Sequence, residues 1–289
     1  MNGVAAAVLS SALGGSAGAL TRYVIGATDP VTLAAYRFGI GFLFIFPIAL
    51  LARSKFPSGR DGVWVALLGV LFFSVFFVFY NLALSFTTAA RGSLALSCLP
   101  LTTMLVAIAF RKETFTPRKI TGVFLAIGGV AVALWTGLSD APPGAWRGDL
   151  IMAGATVCMA LYNVWSRPLM QRSSMLGFLA LGMGFGAAAS TAFAVGSGGL
   201  LQSFSVFSQG QWIAAVCIGI FGGALAFYLW VYALERTTPT RVANTMTVNP
   251  VAASLLAAAL LGEPLGWNLL LGIGGVAAGI WLASTEGTK

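Results

Sequence analysis

The sequence contains an internal repeat with a spacing of 150 residues, and this repeat restricts the possible folds more than any other feature. The matching pairs need no gap and include Thr87 and Thr237, Arg91 and Arg241, Pro100 and Pro250, Glu113 and Glu263, Gly122 and Gly272, and Gly129 and Gly279. Four basic residues of the first copy have uncharged partners in the second: Arg111, Lys112, Arg118 and Lys119 correspond to Leu261, Gly262, Asn268 and Leu269. Two copies that cross a membrane in opposite orientations show this difference, since basic loops stay on the cytoplasmic side.

The composition indicates an integral membrane protein. Charged residues make up 8% of the 289 residues, hydrophobic residues make up 58%, and the mean hydropathy is +0.91. A soluble domain carries about 25% charged residues, so this chain has too few to cover a surface that faces water. The net charge of +8 is explained by the loop bias of a membrane protein and does not indicate nucleic-acid binding.

Ten segments are long and apolar enough to form membrane-spanning helices, which need about 20 residues each. They are residues 4–25, 31–51, 63–84, 89–110, 120–138, 149–170, 176–195, 212–234, 241–261 and 267–284. The sequence therefore predicts an all-α fold with one five-helix repeat in residues 1–138, a connecting loop at 139–148 and a second repeat in residues 149–289. Because five is an odd number, the second repeat is inverted relative to the first. The first two spans of each copy align at an offset of 145 residues.

The distribution of basic residues predicts that both termini are cytoplasmic. With that orientation, twelve of the sixteen basic residues lie in cytoplasmic loops or in the tail: Arg53, Lys55, Arg60, Arg111, Lys112, Arg118, Lys119, Arg167, Arg172, Arg236, Arg241 and Lys289. The 196–211 loop, which corresponds to the basic 52–62 loop, has no charge. Such a protein is expected in the inner (plasma) membrane of a bacterium.

The order of several short motifs resembles a known family. They are DPVTLAAYRFGIGFLFIFP in the second span, TTAARGSLALSCLP and TTPTRVANTMTVNP at the two prolines, and GEPL before the last span. This pattern is similar to that of the drug/metabolite transporter superfamily, and in particular of its EamA-type ten-helix exporters. The resemblance implies a substrate site between the halves, formed mainly by the first four spans of each repeat, and export of amino acids or related metabolites. One departure is the segment 11–16, which has small residues where related sequences often carry a tryptophan or another polar residue, and which implies a wider, less aromatic pocket.

Two prolines and the polar residues near them are the first candidates for the transport pathway. Pro100 and Pro250 lie in the middle of their spans, where a proline removes one backbone hydrogen bond and kinks the helix. They either flank the pathway or only aid packing. The nearby polar side chains are Ser93 and Ser97 on the first helix and Asn244, Thr247 and Asn249 on the second. These side chains either line a pocket or join helices by hydrogen bonds.

Arg37 is the charged candidate, since it lies about 10 Å along its span and an ionisable residue inside a membrane usually faces a cavity or a partner. The alternatives are a side chain that reaches outward to the interface and a pair with Asp29. Tyr80 and Trp230 are equivalent across the repeat, at opposite depths, and are candidate gates of the outer and inner mouths unless they only face lipid. Tyr162, Asn163 and Trp165 in the sixth span are further pathway candidates.

Other features are interpreted as structural. The dense glycines indicate close helix packing, with a dimer face at Gly275 and Gly279 as an alternative. Glu113 and Glu263 lie in short turns and are expected to stabilise them. The sequence has no histidine, no acidic residue deep in a span and no metal-ligand spacing, so we predict neither an enzyme nor a cofactor or metal.

Together these features predict a secondary transporter that exports small amphipathic metabolites by alternating access. Amino acids, aromatic or otherwise hydrophobic, are the favoured substrates, and facilitated diffusion is the favoured mechanism. A proton-coupled efflux transporter of drugs or cations and an accessory membrane subunit are the alternatives. The expected partners are a small-molecule substrate and membrane lipid, with a monomer favoured and a dimer left open.

Overall fold

The structure, a computed structural model, describes residues 2–84, 86–87, 89–113, 116–135, 143–252, 255 and 267–284. Every regular element within these residues is helical. The helices are α1 (Gly3–Ile25), α2 (Pro30–Leu51), α3 (Gly59–Val70), α4 (Phe77–Leu84), α5 (Ala89–Ser97), α6 (Leu99–Ala109), α7 (Pro117–Ala133), α8 (Trp146–Met170), α9 (Met175–Gly196), α10 (Gly199–Val206), α11 (Gln209–Cys217), α12 (Ala226–Arg236), α13 (Pro239–Asn244) and α14 (Trp267–Ser284). The turn at Glu263 and Pro264, the end of the ninth predicted span, residues 139–142 of the connecting loop and Lys289 lie outside the described residues.

Five stretches of helix in the described part of the chain are long and apolar enough to cross a membrane. They are Pro30–Leu51, Gly59–Ala83, Gly92–Ala109, Met175–Gly196 and Gln209–Arg236, and shorter apolar helices cover Gly3–Gly18 and Leu270–Ala283. Each of the ten predicted segments overlaps one or more of the observed helices. The number of membrane crossings and the side on which the termini lie stay predictions.

Polar side chains fix where several of these helices begin. Asn2, Asp29, Thr116 and Ser174 each accept a hydrogen bond from a backbone N–H in the first turn of the following helix. Ser208 and Gln211 form a reciprocal capping box at the start of α11. These bonds satisfy N–H groups that have no partner within the helix, which stabilises a helix start by about 1 kcal/mol.

Helical irregularities occur at equivalent places in the two halves of the chain. A π-helical segment, Leu71–Phe76, joins α3 to α4, and a second one, Ile218–Leu225, joins α11 to α12. The first segment falls on residues 221–226 when it is shifted by 150. A π-segment widens the helix locally and shifts the side chains that follow it, and such segments are frequent at functional sites.

Glycines at equivalent positions let the two halves interlock. α2 crosses the π-segment Ile218–Leu225, and α9 crosses α3. A Cβ atom built on Gly41 would lie 3.2 Å from the carbonyl oxygen of Gly219, and one built on Gly186 would lie 2.7 Å from that of Gly69. Gly41 and Gly186 are related by the 145-residue offset, and Gly69 and Gly219 by the 150-residue offset. The same close approach of backbones is therefore present in both halves.

α7 and α14, the last helix of each half, also pack through glycines. A Cβ atom on Gly279 would lie 2.6 Å from the carbonyl oxygen of Gly122, and one on Gly272 would lie 2.6 Å from that of Gly129. Gly275 approaches the Cα atom of Gly129. The alternative of a dimer face at Gly275 and Gly279 is therefore wrong, because both glycines pack on α7 of the same chain.

Candidate functional site

The two mid-helix prolines each follow an interruption of the helix. α5 ends at Ser97, and α6 begins at Leu99, next to Pro100. On the other side α13 ends at Asn244, and the 3₁₀ turn Thr245–Thr247 precedes Pro250. A proline cannot donate to the carbonyl four residues earlier, so both prolines are placed where the α-helical ladder is already broken.

Most hydroxyl groups at these interruptions bond within their own helix. The Ser97 hydroxyl donates to the carbonyl of Ser93 at 2.8 Å, and the Thr247 hydroxyl donates to the carbonyl of Asn244 at 2.7 Å. Asn244 instead contacts another helix, since its Nδ2 lies 3.4 Å from the carbonyl oxygen of Gly279. The sequence predicts that these polar side chains either line a pocket or join helices by hydrogen bonds, and Asn244 does join two helices.

Asn249, next to Pro250, presents an acceptor without a donor. Its Oδ1 is buried and has no hydrogen-bond partner among the described residues, while its Nδ2 lies 3.7 Å from the sulfur of Met246. A Cβ atom on Gly14 of α1 would lie 3.2 Å from this Oδ1. A buried acceptor that stays unpaired costs about 1–3 kcal/mol, so a ligand that donates here would gain that amount.

The α1 helix also carries hydroxyl groups that reach the second half of the chain. The Ser10 hydroxyl donates to the carbonyl of Ala226 at 2.6 Å, and the hydroxyls of Ser11 and Thr245 are 3.0 Å apart. All three hydroxyl side chains belong to buried residues. The small side chains of α1 therefore let α12 and the 3₁₀ turn approach closely, and the pocket widening that the 11–16 segment implies stays a prediction.

Arg37 points into the protein and not toward the membrane surface. Its Nη2 and Nε donate to the carbonyl oxygen of Gly222 in the π-segment, at 2.7 Å and 3.1 Å. The guanidinium carbon lies 5.1 Å from the ring centre of Phe77 and 5.9 Å from that of Phe227. Cation–π contacts and a charge-assisted hydrogen bond thus hold the guanidinium at the edge of the aromatic core.

The proposed pair between Arg37 and Asp29 is not formed. The Asp29 carboxylate accepts from the backbone N–H groups of Val31 and Thr32 and from the Thr32 hydroxyl. It caps α2 two turns away from Arg37. The ion pairs within the described residues are Lys119–Glu113, Arg172–Asp61 and Arg236–Glu235.

Asn249 and Gly222, the hydrogen-bond partner of Arg37, pack on neighbouring positions of the same turn of α1. A Cβ atom on Gly222, beside Arg37 Nη2, would lie 2.5 Å from the Cβ of Ala17, whereas Asn249 contacts Gly14. Residues 14 and 17 are on one helix face, about 5 Å apart along the axis. The unpaired acceptor of Asn249 and the residue that binds the guanidinium of Arg37 thus both contact one face of α1.

The sixth-span candidates Tyr162, Asn163 and Trp165 differ in burial and in their partners, and Asn163 is bonded to Trp230. Trp230 is 1% exposed, and its indole N–H donates to Asn163 Oδ1 at 2.9 Å. Tyr162 is also buried and stacks on Phe72, with ring centres 4.4 Å apart. Trp165 is half-buried and packs against the same core, with its ring 5.1 Å from that of Phe110.

Tyr80, the equivalent of Trp230, is half-buried and packs on Phe76 and Phe77. It shares Phe77 with Arg37. Tyr80 therefore packs on the same aromatic side chains as the charged candidate, and Trp230 belongs to the same core.

Glu113 has a contact between the halves that sequence reasoning missed. Its Oε1 accepts from the backbone N–H of Thr240, at 3.0 Å, in the first turn of α13, and its Oε2 pairs with Lys119 at 3.3 Å. Glu113 and Lys119 line a cavity of about 470 Å³ together with Thr238 of the other half. The sequence signal that could have indicated this contact is a single acidic residue among the basic residues of this segment, but its partner is 127 residues away.

Comparison with known proteins assigns the family. The sequence model of the EamA-like transporter family matches residues 1–135 and again residues 146–285. The chain belongs to the EamA-like transporter family. Membership, together with the apolar helices, makes the protein an integral membrane transporter and not an enzyme.

Three relatives illustrate the range of the family. An uncharacterized transporter of Archaeoglobus fulgidus is 26% identical over 90% of this chain and 91% of its own length. The uncharacterized transporter YyaM of Bacillus subtilis is 24% identical over 92% and 88%. A probable terminal-alkyne amino-acid exporter of Streptantibioticus cattleyicolor is 27% identical over 72% and 68%.

A solved crystal structure of a protein has the same fold as this EamA-like chain. The two superpose with a TM-score of 0.81 and 24% sequence identity, over 98% of this chain and 99% of the other. The similarity extends over both halves and supports the helical arrangement described above.

Proposed function

We propose that this EamA-like transporter exports small amphipathic metabolites, and most specifically amino acids with an apolar side chain. Substrate would bind between two inverted five-helix repeats, residues 1–138 and 149–289, which are joined by the 139–148 loop. Two observations support the repeats: the family matches the chain twice, and Gly41–Gly219 and Gly186–Gly69 form equivalent contacts. In inverted-repeat transporters, one unit rocks against the other around a fixed site.

The observation that carries the substrate assignment is that α1 packs on Asn249 at Gly14 and, at Ala17, on Gly222, the residue to which Arg37 donates its hydrogen bonds. An amino acid has a carboxylate that accepts hydrogen bonds and an ammonium group that donates them. Arg37 would bind the carboxylate, and the unpaired Oδ1 of Asn249 would accept from the ammonium group. The Phe77 and Phe227 rings beside the guanidinium would contact an apolar or aromatic side chain.

The other pathway residues belong to the same proposal. Tyr80 would narrow the outer mouth and Trp230 the inner one, and the burial of Trp230 fits a conformation with a closed inner mouth. Contacts between Glu113 and Thr240 would hold that mouth shut. The remaining proposed lining residues are Ser93, Ser97, Pro100, Tyr162, Asn163, Trp165, Asn244, Thr247 and Pro250.

Transport would be facilitated diffusion. The acidic residues of the described part of the chain lie at helix ends or in the turns between helices, so they offer no deep carboxylate to carry a proton; they are Asp29, Asp61, Glu113, Asp149 and Glu235. The protein would act as a monomer in the inner membrane of a bacterium, surrounded by lipid, with both termini in the cytoplasm and without nucleic acid.

Flux into or out of proteoliposomes tests this function. Vesicles loaded with leucine or phenylalanine, and held without any ion gradient, should show saturable flux that depends on the protein. The amine that lacks the carboxylate and the acid that lacks the amino group should each be transported at least about tenfold more slowly, since each loses one charged hydrogen bond. Flux that needs an imposed proton or sodium gradient would overturn facilitated diffusion, and equal flux of all three compounds would overturn the two-point site.

Cysteine labelling tests the orientation and the gates. In a variant without Cys98, Cys158 and Cys217, a single cysteine at Arg118 should react only from the cytoplasmic side. Tyr80→Ala and Trp230→Ala should change the labelling of pathway cysteines from opposite sides. Trp135→Ala is the matched control, because Trp135 is 71% exposed and lies just beyond the end of α7, where tryptophan is common at a membrane interface.

A further inference from the structure

An apolar groove of about 720 Å³ runs along α3, and none of its lining residues belongs to the proposed pathway. One side is the face of α3 that carries Val63, Ala66, Leu67 and Val70, and the other side is formed by Leu181 and Phe185 of α9. One end of the groove is closed by the Pro57–Ser58–Gly59 turn. Every side chain that forms its two walls is apolar.

The equivalent place in the second half of the chain is filled with protein. Tyr36, Phe207 and Trp212 pack together there, with Tyr36 5.7 Å from Phe207 and 5.3 Å from Trp212 between ring centres. The Tyr36 hydroxyl lies 2.6 Å from that of Ser203, which belongs to the added helix α10.

Three substitutions between the copies explain this difference. The equivalents of Tyr36, Phe207 and Trp212 are Leu181, Pro57 and Gly62, which are all smaller. No counterpart of α10 lies in the shorter loop between α2 and α3. The first half therefore has an open groove at the place where the second half packs aromatic side chains.

The charges around the two places differ as well. Arg53, Lys55 and Arg60 lie on either side of the Pro57–Gly59 turn that closes the groove, and all three are exposed. The nearby carboxylate of Asp61 is already paired with Arg172 at 3.0 Å. The 196–211 loop at the filled place has no charge.

The end of the groove is also suited to a phosphate group. Ser58 is the N-cap residue of α3, yet its side chain makes no capping hydrogen bond, in contrast to the capping box at its equivalent Ser208. The first-turn N–H groups of α3 thus lie at the same end as the three cations, and such groups favour an anion.

We propose that the groove binds an anionic phospholipid, with an acyl chain along α3 and the phosphate headgroup at Arg53, Lys55 and Arg60. The assignment to the cytoplasmic leaflet rests on the proposed orientation, but lipid binding itself does not depend on the transported substrate. A basic residue near a membrane surface strengthens binding to anionic lipid about fivefold. Three such residues at one end of an apolar groove select the headgroup, while the groove selects the chain.

Native mass spectrometry of the full chain, with phosphatidylglycerol and phosphatidylcholine of the same acyl composition, tests this site. The unchanged protein should retain one phosphatidylglycerol at least about tenfold more strongly than phosphatidylcholine. The combined change Arg53→Gln, Lys55→Gln and Arg60→Gln should remove that preference. Arg111→Gln with Lys112→Gln and Arg118→Gln is the matched control, since it removes three exposed charges of another loop on the same predicted face, and it should retain the preference.

A second variant tests the groove without changing charge. Ala66→Trp places an aromatic ring into the groove and should lower retention of both lipids about tenfold, whereas Leu43→Trp, at a site 69% exposed, should lower neither. Equal retention of the two lipids by the unchanged protein, or an unaltered preference in the triple glutamine variant, would overturn the proposal. So would full lipid retention by a monodisperse Ala66→Trp protein.

Discussion

The two places where the halves of the chain cross have the same backbone and different side chains. At one crossing, Arg37 of α2 reaches the carbonyl oxygen of Gly222, and Gly222 packs against Ala17 of α1. At the other, the equivalent of Arg37 is Gly182, which lies so close to Gly69 that only a glycine fits at Gly69.

The π-segment residues show the same exchange of size. Phe72 is the equivalent of Gly222, and Tyr162 is the equivalent of Ala17. Phe72 and Tyr162 stack on each other with ring centres 4.4 Å apart, where the other crossing has two small residues and a guanidinium. One crossing is therefore a packed aromatic contact, and the other holds a buried cation. The two crossings share their helix arrangement, and a few side chains make one of them aromatic and the other polar.

The largest effect is expected from enlarging a shared glycine. Gly69→Val and Gly219→Val should each prevent accumulation of folded protein, because a Cβ atom at Gly69 would overlap the backbone of Gly182 and one at Gly219 would lie 2.6 Å from Ile40 Cβ. Expression and size-exclusion chromatography in detergent measure this. Gly39→Ala is the control, since a Cβ atom there would meet nothing within 4 Å, and a monodisperse Gly69→Val protein would show that the crossings are looser than described.

The aromatic crossing should matter mainly for stability. Phe72→Ala removes a fully buried ring that stacks on Tyr162, and we expect a loss of about 3–5 kcal/mol in the free energy of unfolding. The thermal unfolding midpoint and the KM of transport, measured on the protein that survives, separate the two roles. Phe79→Ala, at a ring 37% exposed, should cost far less. A raised KM with unchanged stability would assign Phe72 to the substrate site, and the two crossings would then not differ in role.

The polar crossing should matter mainly for transport. Arg37→Gln should lower amino-acid flux about 10- to 100-fold, because it removes the proposed partner of the carboxylate, and should leave flux of the decarboxylated amine nearly unchanged. Arg37→Lys keeps the charge but not the forked geometry of the guanidinium, so its amino-acid flux should lie between that of the unchanged protein and that of Arg37→Gln. Equal losses for the acid and the amine would show that Arg37 acts only by holding the π-segment through Gly222.

The smallest effect concerns the equivalent residues Tyr80 and Trp230. Trp230→Phe removes the 2.9 Å hydrogen bond to Asn163 and should cost about 1 kcal/mol in stability. A double-mutant cycle with Asn163→Leu, followed by thermal unfolding, measures the coupling between the two side chains. Additive effects of the two changes would mean that the bond contributes no stability. Tyr80→Phe, the matching change in the first half, should leave the coupling of Trp230 to Asn163 unaltered.

The family, the helical class and the approximate bounds of the helices could be predicted from the sequence. Apolar runs of about 20 residues and the absence of histidine restrict the fold and the chemistry without any knowledge of contacts. Arg37 was identified as a candidate because a charge in an apolar run is unfavourable unless it has a partner. The alternative partner Asp29 was wrong, since that carboxylate caps its own helix.

The contacts across the halves could not be predicted in the same way. Glu113 was interpreted as a turn residue, yet it accepts a hydrogen bond from Thr240 of the other half. The sequence makes Asn249 a candidate among several polar residues, but only the structure shows that its Oδ1 is buried and unpaired. Hydrogen bonds between helices depend on the rotation and depth of each helix, which are set by packing and not by hydropathy.

The sequence by itself determined that this chain is a helical membrane protein with an internal repeat, because burial of apolar residues in lipid and the position of basic loops depend on composition and order alone. The tertiary structure decided which residues of the two repeats contact each other. It placed Arg37 against Gly222 and Phe72 against Tyr162, and it left a groove at Gly62 where Trp212 fills the equivalent space. Two equivalent positions can hold side chains of different volume on the same backbone only if a neighbouring side chain compensates for the difference in volume. Which side chain is the neighbour depends on how the helices cross in three dimensions.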